Sequence, residues 1–270
     1  MKKFPIGFNT KVEEKKEEQV IRPEILEVEP RKSLVQVYFP LRGMGYAYYN
    51  DSFDLKVGDL VYVEGKLEGM RGRVTEVNYS FKIKLSDYKK VIALIDTDVT
   101  GEVYLADTHV ITFDKNALSY EKVISWFKAP CDEEYVIGED EDENCFPLDD
   151  IKQMGVSQVI AERGYEYYMD NKVAYISLDG FRGYAIVEGS ENYLVEFEYV
   201  DGEIRNLTCD CFCAFKCKHE FAAMLQLKDI LGYIEKEFPE RTGDYFAAIS
   251  KETFINTVMT KNKSGRIILE

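Results

Sequence analysis

Apolar residues fall along the chain in short alternating runs, with few long helical stripes. In 34-LVQVYF-39, Leu34, Val35, Val37 and Phe39 interleave with polar partners. The runs LVYVEG, GRVTEVNY, FKIKL, KVIALID, GEVYLAD and HVITF follow up to residue 115, separated by Gly, Asp and Asn. Short β-branched and aromatic segments at this spacing predict a small all-β, barrel-like unit. Leu118, Val123, Ile124 and Phe127 recur at helical spacing, which predicts a helix over 118–128.

Between 131 and 149 the apolar pattern fails. An acidic block runs from Glu139 to Glu143, and the segment reads as a solvated linker. It lacks the glycine and the regular ligand spacing of a calcium loop. From Ser157, a helix cap, the run SQVIAERGYEYYMDN places Val159, Ile160, Gly164, Tyr167 and Tyr168 on one helical side. Four strand-like runs follow (VAYISLD, GYAIVEG, NYLVEFEYV and IRNLTC), joined by turn-forming DGFR, GSEN and DGE. Next come a helix with Phe221, Met224, Leu227 and Leu231 on one side, and a last helix over DYFAAISKETFINTVMT. The fold class expected is α+β. Residues 1–32 form a charged arm, 33–130 the β unit with its helix, 131–149 the linker, and 150–270 a helix, meander and helix unit.

Composition adds two constraints. The 270 residues carry a formal charge of −15, so general attraction to nucleic acid or anionic membrane is not expected. Pro5, Gly7 and Asn9 interrupt any export signal after Met1, and no apolar run approaches the ~18 residues of a membrane span. A cytoplasmic protein is expected, with no membrane partner. In a reducing compartment, clustered cysteines are metal ligands or redox groups rather than disulfides.

Such a cluster exists. The stretch 209-CDCFCAFKCKHE-220 holds four of the six cysteines and one of the two histidines. Alternation along a strand projects Cys209 and Cys211 to one side and turns Asp210 away. Cys217 and His219 flank Lys218 where the next helix should begin. A strand end and a helix start can thus close around one tetrahedral ion. Cys209, Cys211, Cys217 and His219 make a zinc set, and thiolates select zinc over magnesium or calcium. A structural zinc site contributes on the order of 10–16 kcal/mol in peptides, which rivals the ~5–15 kcal/mol net stability of a domain. An all-thiolate set using Cys213 in place of His219 is the alternative, and a redox role is another, although no C-x-x-C is present.

C-x-C followed by C-x-H at the start of an Ala-containing helix resembles the SWIM zinc-finger family. RGYEYYMDNKVAYISL and AIVEGSENYLVEFEY resemble that family's upstream helix and strand, so the resemblance covers residues 155–228. It departs in its short five-residue gap and in the extra thiol of Cys213. It implies one structural Zn²⁺ and a DNA or protein partner. Residues 57–77, with glycines 65, 69 and 72, more weakly resemble KOW-type or SH3-like barrels of transcription and translation factors. Candidate nucleic-acid contacts are Arg205, Lys216 and Lys218 near the finger, and Arg71, Arg73, Lys82 and Lys84 beside Tyr79 and Phe81 in the β unit.

No catalytic set emerges. His109, in THVITF, is expected to be a hydrogen-bonded strand histidine. Cys131 and Cys145 read as ordinary thiols. The glycines of 42-RGMGYAYY-49 lack the context of a phosphate loop and serve a turn. No small-molecule substrate is evident. The reading is a non-enzymatic zinc-binding interaction protein. The alternative is an accessory or targeting portion of a larger nucleic-acid-dependent ATPase or helicase-type enzyme, without a nucleotide motif of its own.

Overall fold

Burial of every second side chain organises the first sheet. In the computed structural model, which describes residues 31–82, 87–130, 145–213 and 215–259, strand β1 (Ser33–Phe39) buries Val35, Val37 and Phe39 and exposes Gln36 and Tyr38. It joins β2 (Met44–Asn50), β3 (Leu60–Val63), β4 (Gly72–Asn78) and β5 (Val91–Leu94) in the order β2-β1-β4-β3-β5. The strands of this sheet pair antiparallel. Tyr49 N–H donates to the Lys89 carbonyl at 2.9 Å, so the sheet's two edges meet.

The second sheet gathers strands from both halves of the chain. Its members are β6 (Tyr104–Ala106), β7 (His109–Thr112), β8 (Phe146–Pro147), β9 (Val173–Asp179), β10 (Arg182–Glu188), β11 (Asn192–Val200), β12 (Glu203–Cys209) and β13 (Phe246–Ser250). Their order is β6-β7-β13-β9-β10-β11-β12-β8. The antiparallel meander β9 to β12 is the one the sequence predicts. At its last turn Asp201 and Gly202 both take positive φ, 51° and 86°, the conformation a two-residue hairpin requires.

Three elements differ from expectation. First, β6 and β7 belong with the later strands: β7 pairs with β13, joining Ile111 to Ala248. Second, the acidic segment ends in structure, because Phe146 is buried and pairs with Ile204. The acidic block itself and the arm over 1–30 lie outside the described residues. Third, the last expected helix opens as a strand, and only its later part is helical. All five residues of β13 are buried between β7 and β9, so neither face is polar and no alternation marks the strand. Ser250 then caps the short α4 (Lys251–Phe254), and a π-helical turn follows over Ile255–Met259.

Helix α1 (Tyr120–Ile124) is capped by Ser119, and α2 (Gln158–Met169) by Ser157. The long α3 (Lys218–Glu237) packs Phe221, Met224, Leu227 and Ile230 against the second sheet. Helix α2 crosses α3 at Gly164. A Cβ there would lie 2.8 Å from Phe221 Cβ, so only glycine allows this approach. A further apolar cluster joins the two sheets, with Leu60 and Tyr62 meeting Trp126, Tyr175 and Ile249. His109, fully buried, has Nε2 2.9 Å from the Val173 carbonyl and Nδ1 2.9 Å from the Thr108 hydroxyl, as the strand reading anticipates. Among the described residues no helix is long and apolar enough to cross a membrane.

Candidate metal centre

Strand β12 ends at Cys209, and the chain bends through Cys211. Asp210 turns the other way and anchors the bend. Its N–H donates to the Leu194 carbonyl at 3.0 Å, its carboxylate accepts from Leu194 N–H at 2.8 Å, and it pairs with Lys128. This orientation is the one strand alternation predicts.

The other two groups come from the start of α3. Cys217 is its N-cap, and its Sγ accepts from Glu220 N–H at 3.5 Å. The Glu220 carboxylate accepts in turn from Cys217 N–H at 2.5 Å, which completes a capping box. Sequence reasoning missed this role of Glu220. Its signal was the spacing Cys217-x-x-Glu220, in which a cysteine takes the usual place of Ser or Thr.

These elements bring the donor atoms of Cys209, Cys211, Cys217 and His219 within 4.8 Å of one another. His219 Nδ1 is 3.8 Å from Cys209 Sγ and 3.7 Å from Cys217 Sγ. Bond lengths of ~2.3 Å to sulfur and ~2.0 Å to nitrogen place the N and S corners of a zinc tetrahedron roughly 3.5 Å apart. The observed separations fit that edge. Cys213, by contrast, is exposed and outside the group, so the geometry assembles three thiols with His219 rather than four thiols.

The close approach of these groups perturbs the three thiols unequally, favouring the thiolate at Cys217 and the protonated form at Cys209 and Cys211. The thiol of Cys209, hydrogen-bonding to Cys217, pulls the Cys217 pKa well below its ordinary value, helped by His219 and by Glu220 N–H. A helix N-terminus has the same effect on a thiol. Cys209 shifts up through the same contact, and burial pushes Cys211 up to about 12. Burial first, and the charge of Cys217 second, push Glu220 up to about 8.

Packing sets the His219 ring. Tyr193 stacks on it at 4.0 Å between centroids, and Tyr167 meets it edge-on at 5.5 Å. Its Nε2 is buried with no hydrogen-bond partner among the described residues. Aromatic walls therefore do the orienting that a hydrogen bond to the second ring nitrogen usually does.

Most of the candidate nucleic-acid contacts are engaged within the protein. Arg205 pairs with Glu203 at 2.9 Å. Lys218 donates to the Tyr167 hydroxyl at 2.7 Å, and Lys216 Nζ lies 5.3 Å above the Phe146 ring. Arg73 donates to the Gly58 carbonyl at 3.1 Å. Arg71 is partly buried and donates to the Trp126 carbonyl at 2.9 Å, at the junction of the sheets rather than on an outer edge. Lys82 is exposed, while Lys84 and Cys131 lie outside the described residues. Comparison with known protein families, with curated proteins and with solved structures returns no match, so the chain's own geometry carries the functional reading.

Proposed function

We propose that this chain is a non-enzymatic, zinc-stabilised interaction protein of SWIM type whose partner is another protein. The observation that carries the reading is the convergence of Cys209, Cys211, Cys217 and His219. Bound there, a single Zn²⁺ would cross-link the end of β12 to the first turn of α3. The residues between the two ligand pairs would then be held as a short loop.

That loop presents Phe212 at 101% and Phe215 at 87% of full exposure. Apolar rings this exposed, on a loop tethered at both ends, suit insertion into an apolar cleft of a partner. The charge of −15 and the internal engagement of Arg205, Lys218, Arg73 and Arg71 favour a protein over nucleic acid. The five-stranded sheet, with its edges bridged at Tyr49, supports a small barrel of KOW or SH3-like type as a second interaction module.

The test is affinity capture from native lysate with and without nuclease. The wild-type chain should retain a partner in both conditions. Phe212→Ala with Phe215→Ala should lose it while keeping zinc and thermal stability. Capture that vanishes on nuclease treatment alone would replace the protein partner with nucleic acid.

A further inference from the structure

A cavity of about 600 Å³ lies where the two sheets meet, lined by the β3–β4 loop, the end of β10 and the segment after β13. That volume is in the range of small-molecule sites, roughly 300–1,000 Å³. Its lining holds polar groups whose bonding capacity the protein leaves unused. Tyr62 is 1% exposed and lines the cavity, yet its hydroxyl has no hydrogen-bond partner among the described residues. A buried hydroxyl in that condition is costly unless something else bonds to it.

Arg71 lines the same cavity. Its Nη1 donates to the Trp126 carbonyl at 2.9 Å and reaches Thr257 Oγ1 at 3.5 Å. Its Nε and Nη2 hydrogens have no acceptor among the described residues, and no carboxylate pairs with it. Tyr62 and Glu188 lie close enough to affect the guanidinium electrostatically, and burial pulls its pKa below the ordinary value.

Glu188 also lines the cavity, with Lys172 and Glu252 near it. Among the described residues, none of Arg71, Lys172, Glu188 and Glu252 makes an ion pair. Charges of both signs thus face one half-open space without a direct ion pair between them. A plain anion at Arg71 would meet the field of Glu188 and Glu252, and a plain cation would meet that of Arg71. A molecule with both signs satisfies both walls. We propose that this cavity binds a small zwitterion, its carboxylate or phosphate held by Arg71 and the Tyr62 hydroxyl and its amine drawn to Glu188. The Trp126 and Phe127 side of the cavity supplies apolar contact for the body of the molecule.

Calorimetry and thermal shift on the zinc-loaded full chain test this, with each standard L-amino acid, with O-phosphoethanolamine and with inorganic phosphate alone as probes. An amino acid or O-phosphoethanolamine should bind saturably, and which of them does so separates a carboxylate from a phosphate ligand. Inorganic phosphate should bind at least about 10-fold more weakly, lacking the amine that an ion pair recognises. Tyr62→Phe should weaken zwitterion binding by about 3- to 10-fold, the worth of one hydrogen bond. It should leave the ligand-free melting temperature unchanged or raised, because the hydroxyl it removes has no partner. Glu188→Gln should weaken the zwitterion by about 10-fold while sparing phosphate. Three results overturn the proposal: no zwitterion binds at millimolar concentration, phosphate binds as tightly as the zwitterions, or affinity survives both Tyr62→Phe and Glu188→Gln.

Discussion

Cys217 and Glu220 cap helix α3 reciprocally, the thiol accepting from Glu220 N–H at 3.5 Å and the carboxylate accepting from Cys217 N–H at 2.5 Å. One cysteine therefore serves as helix cap and as candidate metal ligand. Glu220→Ala leaves all four ligands in place but removes the acceptor for Cys217 N–H. It should cost about 1–2 kcal/mol of stability, the usual worth of a cap, with zinc content kept near one per chain. Glu220→Gln should restore most of the loss, since its amide oxygen accepts the same bond. Denaturant titration with metal analysis of both variants checks this. Equal losses in the two would rule out the capping role.

The ligand set predicts a contrast among neighbouring residues. Cys217→Ser and His219→Ala should lower both zinc content and melting temperature. Cys213→Ser should change neither, because Cys213 is exposed and outside the four-atom group. Release of metal by Cys213→Ser would mean that four sulfurs bind the ion in place of three sulfurs and the imidazole.

Gly164 sets two effects against each other. In a helix interior, Gly→Ala gains up to about 1 kcal/mol from propensity alone. Here the new methyl would sit 2.8 Å from Phe221 Cβ and 3.0 Å from the Lys218 carbonyl, where α2 crosses α3. Overpacking of this kind costs about 1–3 kcal/mol, so Gly164→Ala should destabilise the protein. A rise in melting temperature would show that the helices separate without penalty.

His109 gives the pH dependence a sign. Burial holds its pKa below the ordinary 6.5, against the opposing effect of the Val173 carbonyl. Above the unfolded value both states are neutral and the histidine contributes no slope. As pH falls below it, the unfolded chain takes up a proton that the folded chain refuses, so stability drops until the depressed folded pKa is reached. The slope can reach about 1.4 kcal/mol per pH unit. Stability measured from about pH 7.5 to 5.5 should fall less steeply in His109→Gln than in the wild type. Parallel curves would show that folding leaves the His109 pKa unchanged.

The candidate metal site was legible in the sequence because its geometry is local. Strand alternation placed Cys209 and Cys211 against Asp210, and the start of α3 placed Cys217 and His219 around Lys218. The meander was legible for the same reason, since each hairpin is a neighbour pairing. Non-local pairing was not. Nothing near His109 says that β7 will lie beside Phe246–Ser250, about 140 residues on. The strand FAAIS is buried on both faces, so it lacks the alternation that marks a strand and its alanines read as helix. Arg71 read as a surface charge because its partner, the Trp126 carbonyl, is 55 residues away.

Zinc X-ray absorption on gently purified protein tests the central claim most directly, read together with metal content and thermal unfolding. One zinc per chain, with three sulfurs near ~2.3 Å and one nitrogen near ~2.0 Å, is the expected result. A metal-free chain that still unfolds cooperatively, or a first shell of four sulfurs, would contradict it.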